Sequence, residues 1–514
     1  MLKTTSGSPT GLKRHLATHK PVVVSGPESK VSKIEKFTTI EILRDSLKKD
    51  VAKMVSVYLV SPHQLATNEV MRKWASSHWH EELPRSATTV WKWVHGAAEE
   101  AKKRIMQILE QSGAIPSLSA DEWTSKSGKR YINVIAHVNE KVYNLGLARI
   151  DRAANAVFLG SLVNQKMEQF KINALFMTSD GASVMTAMCS KINLIQQKCF
   201  LHGLSLAIRD CLYNEHVLIS ELSVEESDLD AFTLEDQEES NDSPELVDSL
   251  KILVDKVRKE MKTFKEGKIR DELQGIISRK SNEELCIQLD VKTRWNSMLP
   301  MLQKFSALFD SIRIHYSENS KDFPFLNSDK EIIDELIDVL THVEIAIKVI
   351  GKESSNLMTA DIAMDECLTN LIKKKSTLRQ KMHASLSQRY LQRRTINSDI
   401  LWKLSGMDKM NIQNSFYTNP SDVHISELYK LLFPTQNILT PVDPKEVALN
   451  PSKFSSNFVD HEKLCKVLMS IRPSSVSCER CFSLCSRILV PLRGKMNTLS
   501  LDSIVFLNQY FKTV

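Results

Sequence analysis

The sequence predicts an α/β protein in which a mixed sheet is followed by a large all-helical block. Three observations predict this class. Three short runs, IPSLSADEW, RYINVIAHVNE and KVYNLGLARI, alternate apolar with polar residues and are rich in β-branched side chains. An amphipathic helical segment and a buried strand, ALFMTSD, follow them. From about residue 245 to 470 the apolar residues recur at helical spacing almost throughout.

The chain is expected to begin with a flexible arm, residues 1–36, which is rich in Ser, Thr, Lys and Pro and has little periodicity. A helical region over 37–115 follows. Its segments FTTIEILRDSLKKDVAKMVSVYLV and TTVWKWVHGAAEEAKKRIMQILE both carry apolar residues at helical spacing.

The sheet is predicted within residues 116–220. The first three strands can form an antiparallel meander, and the helix NAVFLGSLVNQKMEQFKI can cross over to place the fourth strand parallel to the first. Asp121 then ends the first strand and Asp180 ends the fourth. Both carboxylates are expected at the carboxyl ends of neighbouring strands, where α/β sheets bind ligands.

Charge is distributed unevenly along the chain. Residues 221–248, predicted to be an acidic linker, carry 12 acids and no Lys or Arg; without them the 68 basic residues face 50 acidic ones. The helical block, 249–458, contains a basic run over 373–394 with eight Lys or Arg and no acid. A basic body favours a polyanionic partner, and the alternative is an ordinary solvated surface.

Bulk properties exclude some classes of protein. No apolar run approaches the roughly 18 residues of a membrane span, so no membrane association is expected. The first residues lack the apolar core of a signal peptide. Nine cysteines in 514 residues do not make a disulfide framework, which favours a reducing, intracellular setting.

Three carboxylates form the principal site hypothesis: Asp121, Asp180 and Glu479, the last within RPSSVSCERCFSLCSRILVPLR. Clustered carboxylates repel one another unless divalent cations neutralise them. Two Mg²⁺ ions held in this way can activate water and stabilise the leaving oxygen of a phosphodiester. The alternative is that aspartates at strand ends serve turns only.

Several motifs together resemble those of hAT-superfamily transposases: DEWTSKSGKRYINVIAHV, TSDGASVM, KCFLHGLSL, TRWNSMLPML and SSVSCERCFSLCSRILVPLRGKMNTLSLDSIVFLNQYF. The resemblance runs in order from about residue 50 to the C-terminus. It implies an RNase H-like core interrupted by a large helical insertion and completed by residues 459–514. It also implies a nuclear protein that binds DNA and dimerises.

The resemblance assigns roles to individual residues. Asp121, Asp180 and Glu479 would be the catalytic carboxylates that hold Mg²⁺ or Mn²⁺. Cys199 and His202 match a recurring pair beside them, and His202 would either help to position DNA or the metal, or serve as a structural histidine. A zinc site made by Cys478 and Cys481 with this pair is the minor alternative, because cysteines at i and i+3 of a helix usually pack as small apolar residues.

Candidate DNA-binding residues come from two places. Arg294 and Trp295 match the RW motif of the family, in which Arg can hold a phosphate and Trp can stack on an extruded base. The basic run contributes Lys373, Lys374, Lys375, Arg393 and Arg394, which could follow the phosphate backbone. Core anchoring of the tryptophan and a solvated helical face are the respective alternatives.

GLKRHLATH resembles the end of a BED zinc finger, with His15 and His19 as its last ligands. The Cys-x-x-Cys half that should precede them is absent, and two histidines cannot complete a tetrahedral site. Zinc is therefore not expected in this chain.

Apolar residues near the C-terminus predict self-association. Leu501, Ile504, Val505 and Phe511 are expected on a face that the chain itself leaves partly uncovered, as in a homodimer or higher oligomer. Two functions remain open at this point: a metal-dependent DNA transposase, or a transposase-derived nuclear protein that binds DNA, dimerises and catalyses nothing. The intact carboxylates favour the first, and the incomplete finger favours the second.

Overall fold

A computed structural model describes most of the chain. The described residues are 46–79, 82–213, 247–279, 284–290, 295–405, 416–433, 460–490 and 496–513. The predicted arm with His15 and His19, most of the acidic linker, and Arg294 lie outside the described residues.

The N-terminal region is helical, as predicted. Its helices are α1 (residues 46–56), α2 (Pro62–Thr67), α3 (Glu69–Trp79) and the long α4 (Ala87–Ser112). Ser86 caps α4 by accepting a hydrogen bond from the backbone N–H of Thr88, and Gly113 ends it in the left-handed conformation.

The described residues contain one five-stranded mixed sheet. Its strands are β1 (Ser117–Thr124), β2 (Arg130–Val138), β3 (Lys141–Ile150), β4 (Phe176–Ser179) and β5 (Ile195–Lys198), in the order β3-β2-β1-β4-β5. The β1–β2 and β2–β3 pairs are antiparallel, whereas β1–β4 and β4–β5 are parallel. The meander and the parallel fourth strand are thus confirmed; the sequence analysis did not predict β5.

Helices cover the sheet. The crossover helix α5 (Ala156–Phe170) packs against β2 and β3, and α6 (Ser183–Lys191) precedes β5. After β5 comes α7 (Phe200–Leu212). Near the C-terminus, α17 (Val476–Ile488) packs against β1 and β2, and α18 (Thr498–Thr513) packs against β3 and α4. The last two helices and the N-terminal region therefore share one core with the sheet.

The predicted helical block is present and has a second core of its own. It consists of α8 (Asp248–Thr263), α9 (Gly267–Ser278), α10 (Trp295–Glu318), α11 (Asn327–Ile350), α12 (Leu357–Ile372), α13 (Thr377–Leu391), α14 (Ile396–Leu404), α15 (Asp422–Leu432) and α16 (His461–Met469). Helix α7 joins the block to the sheet, because Phe200, Leu204 and Ile208 are buried in this second core and α13 packs along the helix. No helix of the described residues is both long and apolar enough to cross a membrane.

Most of the C-terminal helix α18 is covered by its own chain, so three of the four residues predicted to form a dimer interface are core residues instead. Leu501, Ile504 and Val505 are each at most 2% exposed, and Phe511 is half-buried. The prediction assumed an uncovered apolar face, but these side chains instead close the core between β3 and α4.

A buried carboxylate fixes α18 to the sheet. Asp502 accepts hydrogen bonds from the backbone N–H of Leu147 at 2.7 Å and from Lys102 Nζ at 3.3 Å. Gly146 makes this approach possible: its φ is +104°, and a Cβ there would lie 2.5 Å from Asp502 Oδ1 and 2.8 Å from Lys166 Nζ. The neighbouring register shift between β2 and β3 is consistent with a local bulge.

We expect Gly146→Ala to destabilise the protein by about 3 kcal/mol, because backbone strain at positive φ adds to a steric clash with the buried carboxylate. Gly113→Ala is the matched control, since Gly113 also has a positive φ but has nothing within 4 Å of the added Cβ. The control should lose about 1 kcal/mol. Urea unfolding of both variants measures the difference, and equal losses would contradict the proposed close packing at Gly146.

Candidate active site

Two of the predicted carboxylates lie where the sheet topology places them. Asp121 does not end β1 as predicted, because the strand continues to Thr124; it lies two residues beyond the last pairing of β1 with β4. Asp180 directly follows β4. Ser119 and Thr178 are partners across the parallel β1–β4 pair, and each aspartate lies two residues further on. Residues two apart share a face of a strand, so Asp121 lies on the same face as Ser119, and Asp180 follows Thr178 at the same end of the sheet. Both are partly exposed.

A short crossing segment, residues 470–475, carries the chain over the same face of the sheet and into α17. It is held by backbone oxygens that accept hydrogen bonds from the sheet and from α7: Ser470 O from Ser117 Oγ, Arg472 O from Thr178 Oγ1 at 2.6 Å, and Pro473 O from Phe200 N at 2.9 Å. Glu479 follows in the first turn of α17 and is partly exposed. The crossing segment is thus what brings Glu479 to the sheet.

Contacts around Asp121 show that α17 begins beside it. Ser475 Oγ donates to Asp121 Oδ2 at 3.3 Å, and the backbone N–H of Glu122 donates to Oδ1 at 2.9 Å. Cys478, next to Glu479, lies 3.8 Å from the backbone oxygen of Asn133, which is the β2 partner of Asp121. The start of α17 therefore covers the carboxyl end of β1.

Asp180 is held by the turn that it begins. The backbone N–H of Ala182 donates to Asp180 Oδ1 at 3.3 Å. Gln196 Nε2, on β5, donates to Asp180 O at 2.9 Å and to Ser179 Oγ at 2.8 Å. The sequence analysis missed Gln196 together with β5, and the only signal available was the short run IQQK.

Cys199 links Asp180 to Glu479. Its backbone N–H donates to Ser179 O at 2.7 Å, so it lies directly beside the residue that precedes Asp180. Burial, together with the negative charge of Glu479, raises the pKa of the Cys199 thiol to about 11. The pKa of Cys478 is raised well above its usual value by burial and by the charges of Asp121 and Glu479. Glu479 is thus near Cys199 and Cys478, and Cys478 is also near Asp121. The end of the sheet at which Asp121 and Asp180 lie is hereafter the carboxyl end.

The side chains at this end have the oxygen donors that divalent Mg or Mn prefers. Within the described residues, however, no group of three or more His, Cys, Asp or Glu side chains is arranged to hold a metal ion. The cysteines of α17 are buried, and burial raises the pKa of Cys481 to about 12, so they have the character of core residues.

His202 lies one turn into α7, next to a group of arginines. Burial, and then the positive charges of Arg393, Arg209 and Arg389, together lower its pKa to about 4. Arg389 is paired with Asp210 at 2.7 Å. Neutral His202 therefore lies near arginines of α7, of α13 and of the residues that follow α13.

The candidate DNA-binding residues are dispersed in the structure. Trp295 begins α10. Lys373, Lys374 and Lys375 are exposed between α12 and α13, and Lys374 lies 3.7 Å from Asp338. They remain available as a surface cationic group.

The side chains of Arg393 and Arg394 are buried, whereas those of a solvated basic run would be exposed. The guanidinium of Arg394 donates to Asp361 and Asp399 in a buried network, and Tyr390 and Trp402 also donate to Asp361. Arg394 thus holds α12, α13 and α14 together. Its positive charge is used in buried ion pairs, so the prediction that it binds DNA is corrected to a structural role. Arg393 is 6% exposed and lies against Gly203.

Comparisons with known proteins give no relative from which to transfer a function. A scan against protein-family models finds no match, and a search of curated proteins finds no significant match either.

The lowered pKa of His202 predicts an acid-dependent loss of stability. An unfolded histidine binds a proton near pH 6.5, whereas His202 in the folded protein does so only near pH 4. Between these values the unfolded state alone gains the proton, so the free energy of unfolding falls as the pH is lowered from 6.5 to 4. The loss is about 1.4 kcal/mol for each unit of pKa difference.

We expect His202→Gln to remove this part of the pH dependence, as measured by urea unfolding at pH 7 and at pH 4.5. His424→Gln, at an exposed position, is the control and should keep the wild-type slope. An unchanged slope in His202→Gln would show that the pKa of His202 is the same in the folded and unfolded protein.

Proposed function

We propose that this protein is a hAT-type transposase-like protein that binds DNA and carries out metal-dependent cleavage and transfer of DNA strands. In this proposal the sheet is an RNase H-like core, and the helical block is an insertion before its last helices. The observation that supports it best is that β1, the turn after β4 and the first turn of α17, which carry Asp121, Asp180 and Glu479, meet at one end of the sheet.

The three carboxylates would hold Mg²⁺ or Mn²⁺. When bound, such an ion activates water and stabilises the leaving oxygen of a phosphodiester. The protein's own residues orient the ligands: Ser475 donates to Asp121, and the backbone of Ala182 donates to Asp180. Both aspartates are thus held in place by hydrogen bonds before an ion enters.

Charge supports DNA as the substrate. Outside the acidic segment the chain has 68 basic and 50 acidic residues. The exposed Lys373, Lys374 and Lys375 and the arginines near His202 belong to the described part of this excess. Phosphate contacts from such residues supply most of the affinity for DNA of any sequence. A nuclear location follows from this function.

Asp180→Asn tests the catalytic proposal, because it removes a charge and nearly preserves the shape. We expect metal-dependent nicking of supercoiled plasmid to fall by at least about 100-fold, while the thermal midpoint stays close to wild type. The assay compares Mg²⁺, Mn²⁺ and EDTA with purified protein.

Asp151→Asn, at an exposed site after β3, is the matched control and should nick as wild type does. Equal nicking by the Asp180 variant would exclude Asp180 as a metal ligand. If the wild type binds the plasmid without nicking it, the second function applies: a transposase-derived protein that binds DNA and catalyses nothing.

Homodimerisation remains part of the proposal, and two positions on α18 test it. Ile504→Asp should unfold the protein, because an unpaired carboxylate in the core costs at least about 4 kcal/mol. Phe511→Asp lies at the half-buried end of the helix and should leave the core folded. Light scattering should report a dimer for the wild type and a monomer for Phe511→Asp. A folded, dimeric Phe511→Asp would place the dimer interface elsewhere.

A further inference from the structure

The side chain of Arg393 occupies space that is open only because residue 203 is a glycine. It follows α13 and is 6% exposed. A Cβ on Gly203 would lie 2.6 Å from Arg393 Cδ and 2.8 Å from Arg393 Nε, closer than real Cβ atoms approach other atoms. Gly203 is the residue after His202, so the side chain of Arg393 passes directly over the first turn of α7.

The backbone at Arg393 is fastened to the sheet. Gln197 Nε2, on β5, donates to Arg393 O at 3.0 Å. Thr395 Oγ1 donates to Oε1 of the same glutamine at 3.1 Å. Gln197 is almost completely buried. One side-chain amide of β5 therefore fixes the chain on both sides of Arg394, and the position of Arg393 is set by the sheet as well as by its own helix.

The guanidinium of Arg393 points to the carboxyl end. Its Nη2 lies 3.4 Å from where a Cβ on Gly181 would be, and Gly181 directly follows Asp180. Nη1 lies 3.4 Å from Arg389 O, towards its own helix. The effect of Arg393 on the pKa of His202 is a second sign that its charge lies between α7 and the turn after β4.

We propose that Arg393 binds a phosphate oxygen of the DNA strand that occupies the carboxyl end. This inference rests on the proposed function. It gives Arg393 a role different from that of the exposed lysines of the basic run and from the structural role of Arg394. Three carboxylates repel a phosphodiester, and a fixed cation beside Asp180 offsets that repulsion. A guanidinium suits this role because its planar fork matches phosphate geometry and is already held by packing.

DNA binding at several salt concentrations tests the inference. Fluorescence anisotropy with a short fluorescein-labelled duplex of mixed sequence, in EDTA, measures binding apart from metal and cleavage. Each phosphate contact contributes about 0.9 to the slope of log affinity against log salt concentration. We expect Arg393→Gln to lower this slope by about 0.9 and to bind roughly tenfold more weakly. A purely structural defect would weaken binding without changing the slope.

Arg279→Gln is the matched control, since it removes one positive charge from an exposed residue of the helical block that pairs with Glu318. It should keep the wild-type slope. Arg393→Gln that is folded by circular dichroism and keeps the wild-type slope would overturn the inference, as would an equal loss of slope in the control.

Arg393→Lys is a second test of the inference, and it can be used even if Arg393→Gln does not fold. Lysine keeps the charge and loses the planar fork, so we expect the wild-type slope with weaker binding. Affinity and slope identical to wild type would overturn the guanidinium contact. A wild-type protein that fails to bind the duplex at low salt would instead refute the proposed function itself.

Discussion

The position of the crossing segment, residues 470–475, is the constraint on which the candidate site depends. Thr178 Oγ1 and Ser117 Oγ donate to its backbone from β4 and β1, so one segment spans the parallel pair that carries both aspartates. Arg472 fastens it from the other side by donating to Ser355 O at 3.1 Å and to Asn139 O at 2.7 Å. Because these partners are backbone oxygens, the guanidinium replaces their lost hydration in a buried place.

A chain of hydrogen bonds connects Arg472 to the sheet through His137 and Ser119. Arg472 Nε donates to His137 Nδ1 at 3.4 Å, which leaves the other ring nitrogen to interact with Ser119 Oγ at 2.8 Å. Burial, and then the charge of Arg472, holds the pKa of His137 well below its usual value, so the ring stays neutral and can accept that hydrogen bond. A charged ring here would oppose Arg472, which explains why the network needs the neutral form.

The pattern of apolar residues predicted the parts of the fold that depend on local periodicity. The runs that became β1 to β3 alternate apolar with polar residues, and the run that became β4 has the character of a buried strand; the crossover rule then places β4 parallel to β1. The run IQQK escaped prediction because β5 has four residues and two glutamines, and its pairing depends on β4. Whether a short segment pairs at the edge of a sheet depends on tertiary contacts, and a run of four residues carries too little sequence signal to predict it.

Charge was harder to interpret from the sequence than periodicity. Arg393 and Arg394 look like part of a solvated basic run, yet one is wedged against glycine and the other is paired with two buried aspartates. The acidic partners of Arg394 lie on other helices, so the sequence alone could not pair them. For α18, apolar residues occur around most of the helix, and such a helix is usually buried within its own protein. That property favours the core position over the interface that was predicted.

The helical block contacts the surroundings of the carboxyl end on two sides, so the block contributes to the structure of the candidate site. On one side Arg480, next to Glu479, donates to Gly351 O at 2.7 Å and pairs with Glu353 at 3.0 Å, both at the end of α11. On the other side Gln197 fixes the backbone at Arg393.

This arrangement also reduces the cost of joining distant parts of the chain. Closing a long flexible loop between α7 and α17 would cost entropy that grows with the logarithm of its length. Helices with their own core, packed along α7, hold the two ends of the block near each other. The packing of the helical block therefore also restricts where α17, which carries Glu479, can lie relative to β1.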